Sequence, residues 1–155
     1  MRTLIACVVI GTAVCASAVW AADTPAKSPQ DAATARTAAM KQMAGDLKAA
    51  SDPAAKPADA KAKVADAIKI AEAIPTYFPK GTGIGDPGMT KTRALQDIWA
   101  KPADFKAAGE ALVAALKNVD AALDSADAAK VGAAFGEVGK KCAGCHKPFR
   151  GPEKE

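Results

Sequence analysis

The chain of 155 residues has one histidine, four cysteines and few aromatic side chains, which make up 5% of its residues. A single imidazole excludes any site built from several histidines. No block of five or more like charges occurs, so nothing in the sequence supports nucleic-acid binding. Strand-forming residues are sparse and alanine is abundant, and this composition favours helices. The few residues able to carry chemistry therefore decide what kind of site the chain can form.

The first 21 residues have the order of a secretory signal peptide. Arg2 is the only charge before an uncharged run of 17 residues, Leu4 to Trp20, and small residues follow. Val19-Trp20-Ala21 fits the small-x-small rule, which predicts cleavage after its last residue. An uncleaved anchor is the alternative, but a run of this length is at the short limit for crossing a bilayer. We expect residues 1–21 to be removed and residues 22–155 to form one periplasmic domain without a membrane span.

Near the end of the chain, Cys142-Ala143-Gly144-Cys145-His146 is the C-x-x-C-H pattern of c-type haem attachment. Each thiol can add across one haem vinyl group to form a thioether, and the adjacent imidazole can bind the iron. Residues three apart on a helix share one face, so both sulfurs can reach the same macrocycle. Once the leader with Cys7 and Cys15 is removed, no other thiol or imidazole is left in the sequence. The sequence predicts one haem c, attached through Cys142 and Cys145, with His146 as the proximal axial ligand.

Other interpretations of the short motifs are weaker. A structural zinc site needs about four ligands, whereas the motif offers two thiols and one imidazole. A thioredoxin-like redox pair requires an α/β pattern around the C-x-x-C, and the sequence has none. Residues Gly83 to Gly88 match G-x-G-x-x-G, but no strand precedes them, which favours a flexible crossover loop. No arrangement of carboxylate, serine or second histidine indicates catalysis, so we expect a protein that is not an enzyme.

Hydrophobic periodicity predicts four main helices. They run from about residue 30 to 50, from Pro57 to before Pro75, from Pro102 to about residue 124, and from Asp127 to before Pro148. The long connection between the second and third helices contains one further helical turn, predicted over residues 93–99. Apolar stripes on four helices with mostly short joints are typical of an all-α, antiparallel four-helix bundle.

The haem cysteines continue the apolar stripe of the last predicted helix. Val131, Phe135 and Val138 recur at spacings of four and three, and Cys142 and Cys145 follow in the same rhythm. Because these positions share one face, the thiols point toward the bundle core. Cofactor sites in helix bundles lie in the core between facing helices. The sequence therefore predicts a haem held near the C-terminus of the bundle.

The residues from Ala133 to Arg150 resemble, almost throughout, the terminal segment of the class II c-type cytochromes, the cytochrome c prime family. Residues 78–83 resemble the family's inter-helix loop, and Ile98-Trp99 followed by Phe105 resembles the entry to its third helix. Arg36 and Met40-Lys41 resemble its first-helix pattern. These matches span almost all of residues 22–155. The resemblance implies a mono-haem four-helix bundle that exchanges electrons with periplasmic redox partner proteins.

The resemblance leaves the second axial position of the iron open at Met40. Low-spin family members use a methionine there as a ligand and are simple electron carriers. High-spin members leave the iron five-coordinate beneath an apolar side chain, often also methionine, and bind nitric oxide or carbon monoxide. Met43, one turn along, is either an alternative ligand or core packing, a role that suits methionine.

The resemblance also implies roles for two arginines and an assembly. Arg36 would lie near a haem propionate, and Arg150 would return toward the proximal face of the haem. For each, the alternative is an ordinary solvated arginine, favourable for the helix dipole in the case of Arg150. The family further implies a homodimer through the first two helices.

Overall fold

The computed structural model describes residues 28–52, 55–125 and 127–152. The predicted leader, with its cleavage after Ala21, lies outside these residues. The described chain is helical, and the prediction of an all-α fold is confirmed. The helices are α1 (Pro29–Ala50), α2 (Pro57–Glu72), α3 (Asp97–Ala100), α4 (Pro102–Leu123) and α5 (Ala128–Phe149), with a 3₁₀ turn at Ile74–Tyr77.

Local sequence signals fix where the long helices begin. Pro29, Pro57 and Pro102 each occupy the first position of a helix, where a missing N–H costs nothing and the fixed φ is already helical. The Ser28 side chain accepts a hydrogen bond from the Asp31 amide at the start of α1. At the start of α5, the Asp127 side chain accepts hydrogen bonds from the amides of residues 129 and 130 and so caps the helix.

The four long helices pack in an antiparallel order. The extensive packings are α1 with α2, α2 with α4, and α4 with α5. Lys63 near the start of α2 donates to Asp46 near the end of α1, at 2.9 Å, so these helices run in opposite directions. The ring of Phe149, at the end of α5, packs on that of Phe105, at the start of α4, with centroids 5.2 Å apart. The predicted four-helix bundle is confirmed.

The core is built from small side chains. Eight of its residues are buried alanines, and the largest fully buried side chains are Leu116, Val64, Val119 and Thr82. Alanine allows close helix packing but removes little apolar area from water. Among the described residues, no helix is long and apolar enough to cross a membrane.

Two predicted boundaries were wrong. Residues 93–95 are extended rather than helical, because the Leu95 amide donates to the Phe149 carbonyl and the Gly151 amide donates to the Arg93 carbonyl; α3 begins only at Asp97. The last helix does not stop before Pro148 but includes it. One missing hydrogen bond in a final turn is tolerated, and the Arg150 amide still bonds to the His146 carbonyl at 2.9 Å.

Candidate haem site

The two motif cysteines lie on the side of α5 that faces the core. Both are free thiols, half-buried and packed against the hydrophobic core. Burial raises the pKa of Cys142, and burial together with the neighbouring Cys142 raises the pKa of Cys145. Reactive redox cysteines need the opposite shift, toward the thiolate. The arrangement suits two sulfurs that become thioethers and argues against a redox pair.

His146 lies at the edge of the same site and is exposed to solvent. Its ring is nevertheless partly enclosed, and this enclosure, followed by the charges of Arg150 and Arg93, lowers the pKa of the imidazole. A lowered pKa keeps the ring neutral, which is the form that binds iron. In the described part of the chain, no three His, Cys, Asp or Glu side chains converge on a point that could hold a bare metal ion.

The two helices that carry the thiols and Met40, α5 and α1, pack less extensively than the other pairs of long helices that contact each other. Among the described residues, α1 and α5 make no contact as extensive as those of α1 with α2 or α4 with α5. The thiols of α5 and the Met40 side chain of α1 are half-buried and border the same core cluster. The donor set and the free thiols fit haem c, which Cys142 and Cys145 would hold covalently.

Met40 and Met43 differ in burial. Met43 is buried, with 6% of its surface exposed, and belongs to the core cluster. Met40 is only half-buried and packs against the outside of that cluster. Met43 is therefore core packing, as the sequence allowed, and the side chain of Met40 retains an accessible surface on α1. Its ligation of iron stays a prediction.

Arg36 is the buried charge of the site region, only 7% exposed. Its guanidinium donates to the Thr82 side chain at 3.3 Å, the Thr82 carbonyl at 3.1 Å and the Thr92 hydroxyl at 2.8 Å. It also donates to the Tyr77 carbonyl at 3.4 Å and lies 4.6 Å from the Phe78 ring centroid. Burial lowers the pKa of Arg36. The side chain therefore connects α1 to the crossover segment, which is the connection between α2 and α4. The predicted contact of Arg36 with a haem propionate stays a prediction.

The crossover segment also holds the residues that follow the motif. An isolated antiparallel bridge pairs Ala94 with Arg150. The Arg93 side chain donates through Nε to the Gly151 carbonyl at 2.8 Å, and the Gly151 amide donates back to the Arg93 carbonyl at 2.7 Å. Arg150 lies where its charge reaches His146. The charge of Arg93 acts on His146 as well. Sequence analysis missed Arg93, because no local pattern indicates pairing between segments 57 residues apart.

Aromatic side chains connect the crossover to the haem-bearing helix. Phe105 contacts both Phe78, with centroids 4.9 Å apart, and Phe149, with both ring pairs edge to face. The Trp99 indole donates to the Phe78 carbonyl at 3.1 Å. Such edge-to-face pairs add about 0.5–1.5 kcal/mol each beyond the area they bury. Phe105 therefore joins the end of α5 to the loop that Arg36 anchors.

The antiparallel bundle, the core-facing thiols and the adjacent imidazole define a class of protein: a haem c protein built on four helices. The family model described as Cytochrome C' matches residues 31–150. The chain is 35% identical over 129 residues to the cytochrome c' of Alcaligenes xylosoxydans xylosoxydans, covering 79% of this chain and 94% of that protein.

Solved structures give the same result. The cytochrome c' of Rubrivivax gelatinosus has a TM-score of 0.68 and 30% identity, covering 80% of this chain and 98% of that one. A nitric oxide complex of a cytochrome c prime variant from Alcaligenes xylosoxidans has a TM-score of 0.68 and 29% identity, covering 81% and 98% of the two chains. The chain belongs to the cytochrome c' family and carries haem c, for which Cys142 and Cys145 are the attachment residues.

Proposed function

We propose that the protein is a periplasmic one-electron carrier in which His146 is the proximal ligand and Met40 the second axial ligand. The observation that carries this proposal is the position of the motif at the boundary between core and solvent. The two thiols are half-buried, whereas His146 and Lys147 are exposed. A haem held there is anchored in the core and has an edge close to the surface, where a partner can approach.

When bound, the haem supplies reversible one-electron chemistry between ferric and ferrous iron. The chain's own residues hold and tune it. The environment of His146 keeps its imidazole neutral and available, and Arg93 and Arg150 place positive charge beside it. A methionine ligand opposite a histidine raises the reduction potential and closes the iron to small ligands.

The pattern of residues 1–21 supports the proposed periplasmic location. The order of charge, apolar run and small residues before Ala21 is that of a signal peptide, and covalent haem attachment is expected after export. Mass determination of the N-terminus of the protein isolated from its native host should give Ala22 as the first residue. An N-terminus that retains residues 1–21 would contradict this location.

A second candidate function is the binding of nitric oxide or carbon monoxide. The observation that favours it is the nitric oxide complex solved for the Alcaligenes xylosoxidans relative. In this alternative Met40 packs over the iron without binding it, and the half-buried side chain moves aside for the gas. The two candidates share His146 and differ only on the opposite face of the haem.

Absorption spectra of the ferrous protein, with and without carbon monoxide, separate the two candidates. For the carrier we expect a low-spin spectrum that carbon monoxide leaves unchanged. Met40→Ala should abolish that spectrum and allow carbon monoxide to bind, whereas the control Met43→Ala, one turn away in the core, should retain it. A native spectrum that shifts with carbon monoxide would instead establish the gas-binding function and refute ligation by Met40.

A further inference from the structure

The net positive charge of the described chain lies on the haem-bearing helix, α5, and its C-cap. Residues 28–127 contain thirteen Lys and Arg and thirteen Asp and Glu, and are neutral as a group. Residues 128–152 contain five Lys and Arg against one acidic residue, Glu137. Although no single block of like charge marks it in the sequence, α5 and its C-cap therefore carry a local excess of four positive charges.

Four of these five cations surround the attachment motif. Lys140 and Lys141 directly precede Cys142, Lys147 directly follows His146, and Arg150 caps the end of α5. All four are exposed. We call this set, Lys140, Lys141, Lys147 and Arg150, the basic face.

The basic face is poorly neutralised from within the molecule. Lys140 pairs with Glu137, and no ion pair forms within the described residues at Lys141, Lys147 or Arg150. Lysines on α2 and α4, by contrast, reach carboxylates on a neighbouring helix. These bridges are Lys61 with Asp120 and Asp124, Lys63 with Asp46, and Lys117 with Glu72. Three exposed cations beside the attachment motif therefore have no ion pair within the described residues.

We propose that the basic face is the docking surface for an acidic redox protein, which exchanges one electron with the haem across it. This inference rests on the proposed carrier function. Complementary charge steers encounter and orients the partner, and it raises association rates by about tenfold or more at low salt. A partner with an acidic patch would be brought to the end of α5 that carries the attachment motif. Residues 28–127 as a group carry no net charge, so the rest of the described chain adds no net attraction for such a partner.

The experiment compares two doubly substituted proteins of equal net charge. Lys141→Glu/Lys147→Glu reverses charge on the basic face. Lys48→Glu/Lys56→Glu is the matched control, because these exposed lysines lie in the last turn of α1 and at the N-cap of α2. In the antiparallel bundle that end is opposite to the end of α5. The ferrous proteins are mixed with hexacyanoferrate(III), an anionic probe that takes one electron and leaves ferric iron and hexacyanoferrate(II).

At low ionic strength we expect oxidation of Lys141→Glu/Lys147→Glu to be slower than wild type by about threefold or more, and the control by much less. Poly-L-glutamate, a probe for an acidic protein surface, should slow wild type and the control but not the basic-face variant. Equal slowing of both variants would mean that net charge alone matters and would overturn the proposal. So would competition by poly-L-glutamate that survives in the basic-face variant.

A cationic oxidant, tris(phenanthroline)cobalt(III), keeps the test decisive. It should oxidise Lys141→Glu/Lys147→Glu faster than wild type, so a general loss of activity cannot imitate the expected result. If charge reversal prevents haem uptake, the oxidation rates of Lys141→Gln/Lys147→Gln are measured in the same way. These rates should change in the same direction but by less. Unchanged oxidation rates in that variant would overturn the proposal. Failure of the wild-type protein to cycle between ferrous and ferric states with either oxidant would refute the carrier function itself. Normal cycling with no dependence on the site of charge reversal would refute only the docking surface.

Discussion

At the scale of single residues, Arg36 is the side chain whose environment says most about the fold. It is buried, and the groups that it contacts on the crossover are neutral: two threonines, the backbone carbonyl of Tyr77 and the ring of Phe78. A buried cation is costly unless hydrogen-bonded, and this one is held by several acceptors. Its removal would take the charged donor from these acceptors in a place that water reaches poorly, and the Thr82 carbonyl would keep only the Thr92 hydroxyl as a donor.

Arg36→Met should therefore destabilise the haem-loaded protein by about 2 kcal/mol or more, because acceptors on Thr82 and Thr92 lose charge-assisted bonds. Urea unfolding followed by far-UV circular dichroism measures the change. Lys41→Met is the control, since Lys41 is exposed on the same helix. Similar free energies of unfolding for the two variants would contradict the anchoring role of Arg36.

Residue-level chemistry was predicted from the sequence to different degrees. The motif alone gave Cys142, Cys145 and His146, because C-x-x-C-H is a local pattern with a specific chemical use. Arg36 was singled out only through a family resemblance, and its contacts with the crossover could not have been read from spacing. The partners lie 41 to 56 residues away in the chain, and only the folded structure brings them together.

At the scale of elements, the crossover between α2 and α4 is better ordered than its composition suggested. The glycines of this loop have specific conformational roles. Gly81, Gly85 and Gly88 adopt positive φ, a backbone conformation that favours glycine. Gly83 does not, but a Cβ there would lie 2.5 Å from Cζ3 of Trp99. The loop therefore packs its backbone directly against the indole of Trp99 in α3.

Gly83→Ala should destabilise the protein by about 1–3 kcal/mol, because the added methyl group must displace Trp99 or the loop. Gly45→Ala is the matched control: it lies within α1 with nothing within 4 Å of a built Cβ, and should stabilise by about 0.5–1 kcal/mol. Thermal unfolding of the two variants measures both effects. A neutral or stabilising Gly83→Ala would show that the loop does not pack as described.

The long helices were predictable because capping and periodicity are local, whereas the crossover was not. Pro29, Pro57 and Pro102 and the Asp127 cap mark helix starts in the sequence itself. The extended pairing of residues 93–95 with residues 149–151 depends on long-range hydrogen bonds. The helix continues through Pro148 because its last turn tolerates one missing hydrogen bond, and the Arg150 amide still bonds to the His146 carbonyl.

At the scale of the whole molecule, the haem completes the bundle as well as giving it a function. The core contains many alanines and few large side chains, and α1 and α5 lack the extensive packing found between the other adjacent helices in the described residues. A large apolar macrocycle attached to α5 would bury more area than any side chain of the chain can. Because thioether bonds keep the cofactor on the unfolded chain as well, it would stabilise the fold through the apolar area that folding removes from water.

The central claim is that Cys142 and Cys145 bind the haem covalently inside this bundle. Intact mass spectrometry under denaturing conditions tests it most directly, on the protein produced with haem maturation and on Cys142→Ser/Cys145→Ser. The account predicts that the wild-type chain retains the mass of one haem after denaturation and that the double variant carries none. A wild-type chain at its bare polypeptide mass, or a double variant that still carries the haem, would contradict it.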